Sequence, residues 1–542
     1  MKLLFARWRT SFTMTFVLLC LQACGEVTKP AGLVYCSEGN PESFNPQLVT
    51  SGTAIDATSK QLYNRLIGYD VESGNIAPEL ATSWTVSDDG LSYHFFLRKN
   101  VKFHSSVVFT PSRDFDANDV IFSFERITKA THPYFNVSKT GYPYFESIGF
   151  SELINRIERV NDHEIIFHLN KANSSFLANL ATDFSIILSA EYAQQALKNG
   201  TPELIDQQPI GTGPFRLTEY VKNKYLRFHR FNGYWDKIPE IDQLVFDVTP
   251  KSSLRMIKLI TGDCNMSALP NTGELSIIKD RTDLRLESKS GFNVAFLALN
   301  TLKPPFDNAN VRKALSLAID RQNILMAVYG DTGLEARSIL PPASWAYNKN
   351  KQNPEYNPTQ ARLLLDQAGV KNLTMTIWTG TVARPYNPNP HKTAELIQSD
   401  FAKIGVNTQI ISVEWSIFNQ KLNQSDYDAA LIGWSADNSD PDNFFTPLLS
   451  CISMNSESNR SQWCNPYFEN LINQAKQSNS KQERISLYHQ AETHISDQMP
   501  LITLAHAQRQ FLQRSNIKTP KLAPFGALAF GDIQIISPKD DH

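Results

Sequence analysis

Short strand-like runs alternate with amphipathic helical stretches along almost the whole chain, with no internal repeat and no low-complexity linker. That alternation restricts the fold to the α/β class, because each strand is followed by a helix that must cover it. At 542 residues there is material for two or three domains. Without a linker, those domains are expected to share strands rather than hang in a row. Runs at Trp84 to Val86 and Tyr93 to Leu97 flank Asp89-Gly90, a hairpin signal. Asp116, with Asp119 three residues on, predicts a capped helix start before Val120. Val311, Leu315, Ala318 and Ile319 predict one helix over Asn310 to Ala327. A strand is expected from Leu373 to Trp378, a helix from Thr393 to Ile404, and a strand from Gln409 to Val413.

The first residues follow a different logic. Lys2, Arg7 and Arg9 precede an apolar run from Phe12 to Leu21, too short to span a bilayer and typical of an export signal. It ends Leu21-Gln22-Ala23-Cys24, which resembles the lipobox of bacterial lipoproteins. Residues 1–23 are therefore expected to be removed and Cys24 to carry lipid. Removal leaves 49 basic against 54 acidic residues, which excludes a basic nucleic-acid surface. In an oxidising compartment Cys36, Cys264, Cys451 and Cys464 point to two disulfides with three possible pairings. Cys451 and Cys464 would close a small loop worth roughly 3 kcal/mol of chain entropy. A zinc site lacks both the C-x-x-C spacing and nearby histidines.

The segment Ile432 to Cys451 reads IGWSADNSDPDNFFTPLLSC. A strand from Ala429 runs into Gly433 and Trp434 and is stopped by Asp437, Asn438, Ser439, Asp440 and Pro441. This puts the Asp437 carboxylate just beyond a buried strand, between an indole and Phe444–Phe445, a setting suited to a cationic group. Taken alone, the segment reads more simply as a solvated turn bearing Asp437, Asp440 and Asp442. A second segment, Ala383-Arg384-Pro385-Tyr386-Asn387-Pro388-Asn389-Pro390, is a proline-stiffened loop that would fix a guanidinium and a phenol.

Catalytic signatures do not survive inspection. Gly211-Thr212-Gly213-Pro214 has no third glycine and no following Lys-Ser/Thr, so it reads as a turn into a strand. His163 and His168 are five apart and sit in an alternating strand, not on one helical face. Gly433-Trp434-Ser435-Ala436-Asp437 begins like a nucleophile elbow, yet a Pro-containing turn, not a helix, is expected after it. Asp437 to Asp442 lacks calcium-loop spacing and its glycine. A binding protein without a cofactor or metal is expected rather than an enzyme.

Residues 33–540 resemble the periplasmic dipeptide-binding proteins that serve ABC importers, within the peptide/nickel-binding group. The resemblance is carried by Leu33-Val34-Tyr35-Cys36-Ser37-Glu38-Gly39, Phe44-Asn45-Pro46-Gln47, Ala77-Pro78-Glu79-Leu80-Ala81 with Trp84, and Asp119-Val120. It continues through Pro209-Ile210-Gly211-Thr212-Gly213-Pro214-Phe215, Arg384-Pro385-Tyr386-Asn387-Pro388 and Asp437-Asn438. It implies a two-lobed α/β binding-protein fold (type II, cluster C) with an extra domain. One lobe would be built discontinuously from 31–62, 214–291 and 508–542, the extra domain from 63–213, and the second lobe from 292–507. It also implies the pairings Cys36–Cys264 and Cys451–Cys464.

By the same resemblance Asp437 takes a ligand's α-ammonium and Arg384 its carboxylate, a spacing of roughly 7 Å for a dipeptide. Tyr386, Trp415 and Trp434 match aromatic positions of that site, alongside Gly433 and Ser435. Thr50, Ser51 and Gly52 match a first-lobe loop that offers backbone hydrogen bonds. Relatives often carry glycine where this chain has Ala436 and Ser439, so either a narrowed pocket or an altered Asp437 turn is expected, and peptide-like binding is implied more firmly than dipeptide preference. The implied protein is a monomer tied to a membrane through Cys24 that hands short peptides to permease subunits. Haem, glutathione and antimicrobial peptides are the alternative ligands known in relatives. Gly25 after Cys24 favours the outer membrane, whereas a permease sits in the inner one, so both locations stay open.

Overall fold

The computed structural model describes residues 32–70, 74–454, 458–519 and 522–536. The expected signal and the lipidation of Cys24 lie outside the described residues. Among those described, no helix is long and apolar enough to cross a membrane.

A twelve-stranded mixed sheet runs through the molecule. Its joint is the fourteen-residue strand Leu501–Arg514. The first half of that strand pairs antiparallel with Asn293–Leu299, and beyond it lie Ala429–Ser435, Thr374–Gly380 and Asn407–Val413. Its second half pairs with Leu284–Ser290 and Met266–Ala268. From there the order continues through Gly32–Ser37, Gln243–Val248, Tyr225–Arg230 and Phe215–Val221. Every residue of Asn293–Leu299 is buried, because its sequence NVAFLAL is apolar on both faces and strands flank it on both sides. Separate apolar clusters sit in the two halves, one around Leu33, Phe228 and Phe246, the other around Leu297, Ile377 and Leu431. This is the mixed α/β architecture expected.

A separate four-stranded antiparallel sheet contains the predicted hairpin, Ala81–Val86 with Ser92–Leu97, together with Ile154–Asn161 and Glu164–Leu169. The predicted helix start is a capping box. The Asp116 side chain accepts from Asn118 N at 2.7 Å, and the Asp119 side chain accepts from Asp116 N at 3.0 Å. Thr374–Gly380, Pro390–Lys403 and Asn407–Val413 occupy the predicted strand, helix and strand, with ends shifted by a few residues.

The single helix expected over 310–327 is instead three pieces. Ala309–Ala318 ends in an extended Ile319, Asp320 caps a new turn Arg321–Ile324 by accepting from Asn323 N at 3.0 Å, and a π turn follows over Leu325–Tyr329. Apolar periodicity continued through the break, but the aspartate's local capping bond won. The glycines of Gly211-Thr212-Gly213 have a packing reason. A Cβ on either would overlap the backbone at Leu62, and Gly213 N donates to Leu62 O at 3.0 Å. Disulfides join Cys36 to Cys264 and Cys451 to Cys464, with Cα separations of 5.9 and 4.6 Å.

Candidate functional site

A cavity of about 230 Å³ lies between the two halves of the large sheet. All ten expected ligand contacts line it: Thr50, Ser51, Gly52, Arg384, Tyr386, Trp415, Gly433, Trp434, Ser435 and Asp437.

Strand Ala429–Ser435 delivers Gly433, Trp434 and Ser435, paired with Asn293–Leu299 so that Trp434 stands opposite Val294 and Ser435 opposite Asn293. Gly433 is required there, since a Cβ would overlap both the Tyr386 ring and the Val294 carbonyl oxygen. The Tyr386 ring therefore packs against bare backbone at Gly433. Tyr386 is held in place through its own carbonyl, which accepts from the Tyr329 hydroxyl at 2.9 Å. The loop is stiffened by more than its prolines. Arg384 N donates to Asn387 O at 2.9 Å and Asn387 N returns to Arg384 O at 3.0 Å. Asn389 then caps helix Pro390–Lys403 by accepting from Lys392 N at 3.0 Å.

The Arg384 guanidinium carbon lies 3.6 Å from the centre of the Trp415 ring, a stacked cation–π arrangement that fixes the fork in a plane. Trp415 opens helix Trp415–Asn423. On the opposite wall, Ser51 caps helix Gly52–Leu62, its hydroxyl accepting from Ala54 N at 3.4 Å and donating to the Glu42 carboxylate.

Asp437 lies two residues beyond the strand's end. Its N–H donates to Asn443 Oδ1 at 3.0 Å, and the Trp434 indole N–H donates to the same oxygen at 3.2 Å. One buried amide thus fixes both the carboxylate's backbone and the neighbouring indole. The Asp437 carboxyl is pushed well above the ordinary carboxylate range, mainly by burial and then by the Asp183 charge, with Asn443 opposing. Its Oδ2 is buried without a hydrogen-bond partner, as are Arg384 Nε, Trp415 Nε1 and Ser435 Oγ. Buried polar groups are normally satisfied, so four orphans around one cavity mark the place of a polar solute.

The simpler view of Asp437 to Asp442 as a solvated turn is wrong. Asp440 and Asp442 are 8% and 3% exposed. Asp440 takes Arg484 at 2.7 and 2.8 Å and accepts from Ser175 Oγ at 3.2 Å. Asn438 donates to Ala178 O and Asn179 Oδ1, each at 3.4 Å. The Asp437 turn is thereby clasped from outside the cleft. A helix, Asp442–Leu449, does follow it, because a proline just before the first turn is compatible with a helix start. Of the two departures from glycine, only Ala436 reaches the cavity, and it is otherwise packed in the core with Phe292 and Phe445.

Several lining residues escaped sequence reasoning. Arg509 donates to Ala523 O and Phe525 O at 3.0 and 2.9 Å, and Asp56 accepts from Leu528 N at 2.8 Å. These bonds hold the segment Pro524–Leu528 against the cavity. Burial pushes the Asp56 carboxyl up to about 7, with Arg509 opposing. An arginine inside the otherwise apolar run LITLAHAQRQFLQR was the available signal for Arg509. Asn443, within a polar stretch at a helix start, offered none.

Enclosed between two halves, walled by aromatics and carrying fixed charges of both signs, the site is that of a solute-binding protein. Residues 75–456 match the model of bacterial extracellular solute-binding proteins, family 5 (middle), and the chain belongs to that family. It is 42% identical over 504 residues to the dipeptide-binding protein of Escherichia coli K12, covering 93% of this chain and 94% of that one. It is also 42% identical over 503 residues to heme-binding protein A of Haemophilus influenzae, covering 93% and 92%. The crystal structure of a dipeptide-binding protein from Pseudoalteromonas sp. SM9913 in complex with Met-Leu superposes with a TM-score of 0.91. Identity there is 45%, with 93% of this chain and 100% of that chain covered.

Proposed function

We propose that this protein is an extracytoplasmic receptor for short peptides, dipeptides foremost, which it delivers to the permease of an ABC importer. The observation that carries the proposal is the pairing of two fixed, orphaned charges on one cavity wall, Asp437 and Arg384. Asp437 takes the ligand's ammonium, Arg384 its carboxylate, and Tyr386, Trp415 and Trp434 wall the chain between them. Thr50 to Gly52 close from the first lobe. The lobes are 31–62 with 214–291 and 508–542, and 292–507, with 63–213 as the extra domain. They hinge where Leu284–Ser290 passes into Asn293–Leu299 and where Leu501–Arg514 crosses between the halves. The receptor works as a monomer tethered through Cys24. A haem ligand finds less support, since the described cavity lining has no histidine, cysteine or methionine.

Calorimetry of the processed protein with one dipeptide, its N-acetyl form and its C-terminal amide tests the charge assignment. Each cap is expected to weaken binding by about 2–5 kcal/mol, because it strands a desolvated charge. The amide should lose nothing further in an Arg384→Gln variant. Equal affinity for free and doubly capped peptide would sink the proposal, and a mass spectrum of solute carried through purification identifies the natural ligand.

A further inference from the structure

A second cavity of about 310 Å³ lies within the half formed by residues 292–507, and it shares no lining residue with the peptide cavity. Arg321, Arg337 and Lys351 line it, with Ser316, Gln352 and Asn353 among the polar neighbours, and no carboxylate belongs to its lining. None of the three cations forms an ion pair among the described residues.

Arg321 is 6% exposed. Its guanidinium donates only to neutral oxygens, Thr503 O at 2.9 Å, Ser316 O at 3.2 Å and Ser316 Oγ at 2.9 Å. A guanidinium has five N–H donors, so two remain. Burial depresses its pKa to about 10, with the Glu335 charge opposing. Lys351 donates to the Glu492 carbonyl at 3.2 Å, and Arg337 has no hydrogen bond among the described residues.

Two acids stand nearby, and both are engaged. Glu335 accepts from Gln322 at 2.8 Å and Asn353 at 2.7 Å. Glu492 accepts from Ser338, and burial holds it at about 7. Neutral donors leave the Glu335 charge in place, where it acts on Arg321 as Glu492 acts on Lys351, yet three basic groups still outnumber the two acids. Gathering unpaired cations around an enclosed space costs free energy that a bound anion relieves, and arginine forks match oxyanions two bonds at a time.

We propose that this cavity is a second ligand site, taking a small multivalent oxyanion, either a phosphate or a polycarboxylate, between Arg321, Arg337 and Lys351. A cavity of about 310 Å³ suits a small ion, and its three positive groups favour two or more negative charges over one.

Thermal unfolding and calorimetry of the peptide-free protein test the site with inorganic phosphate and with citrate, each against sodium chloride at matched ionic strength. Either anion is expected to bind with a Kd of about 1 mM or tighter and to raise the melting temperature by mass action. Phosphate alone identifies a phosphoryl ligand, and citrate alone a polycarboxylate. Arg337→Gln and Lys351→Gln are each expected to weaken anion binding by about tenfold, the loss of one ionic contact, while leaving dipeptide affinity unchanged. The proposal falls if neither anion differs from chloride, if both variants bind the anion as the parent does, or if the variants alter dipeptide and anion affinity together.

Discussion

Replacing Asp437 by asparagine removes a charge and almost no volume, so its effect isolates electrostatics. In the empty cavity this carboxyl is raised well above the usual range by burial, then by Asp183, and its Oδ2 has no partner. An arriving ammonium lowers that pKa by favouring the charged form. Between the two values the empty site is protonated and the filled site is not, so binding releases a proton. Dipeptide affinity should therefore fall as pH falls through that window, with a limiting slope of about tenfold, or 1.36 kcal/mol, per unit. In Asp437→Asn the ammonium meets an amide. The expected loss is about 2–5 kcal/mol, roughly thirtyfold to a few thousandfold in Kd, and the pH dependence should vanish. Calorimetry in two buffers of different ionisation heat, across the pH range in which the protein stays folded, reads affinity and proton release together. A parent Kd that is flat with pH and shows no buffer-dependent heat would refute the reasoning. So would an asparagine variant within about threefold of the parent, well short of the expected charge loss.

Two further outcomes rest on packing and on buried histidines. Gly433→Ala forces a Cβ into the Tyr386 ring and the Val294 carbonyl. It should cost about 1–3 kcal/mol in urea unfolding and weaken dipeptide binding as well. His104 and His506 are both fully enclosed and pushed down to about 4 by burial. His104 accepts from Gly211 N while its other nitrogen meets Gly213 O, an arrangement only the neutral ring satisfies. Below about pH 6.5 the unfolded chain takes up protons that the folded one refuses, so stability should rise with pH from about 4 to 6.5. Each histidine contributes up to about 3 kcal/mol. Urea unfolding across that range checks it, and a slope unchanged in His506→Gln would exclude the role of that ring.

What was legible in the chain was what short-range chemistry decides. Asp89-Gly90 turns a hairpin and Asp116 with Asp119 caps a helix because every partner lies within a few residues. The same locality explains the misreadings. Apolar spacing through Ile319 suggests one helix where Asp320 starts another, and Pro441 suggests a turn where a helix begins beside it. Asp440 looked like a solvated turn residue because its counter-ion, Arg484, is 44 positions away. Asp56 and Leu528 are bonded across 472 positions, beyond any pattern in the chain. Asp437 and Arg384 were picked out by resemblance to known proteins. Spacing alone offered no means of bringing them to one cavity.

The clasp on the Asp437 turn has a consequence for anyone who would transplant or trim this receptor. Ser175, Ala178 and Asn179 do not line the cavity, yet they hold the short arc from which the cleft's acid projects. A shortened chain without residues 63–213 would keep the strand, the aspartate and both tryptophans. It would surrender the bracing that aims the carboxylate and would open the Asp440–Arg484 pair to water. Recognition at the cleft thus depends on bracing from outside it, and selectivity can drift through substitutions that line no part of the cavity.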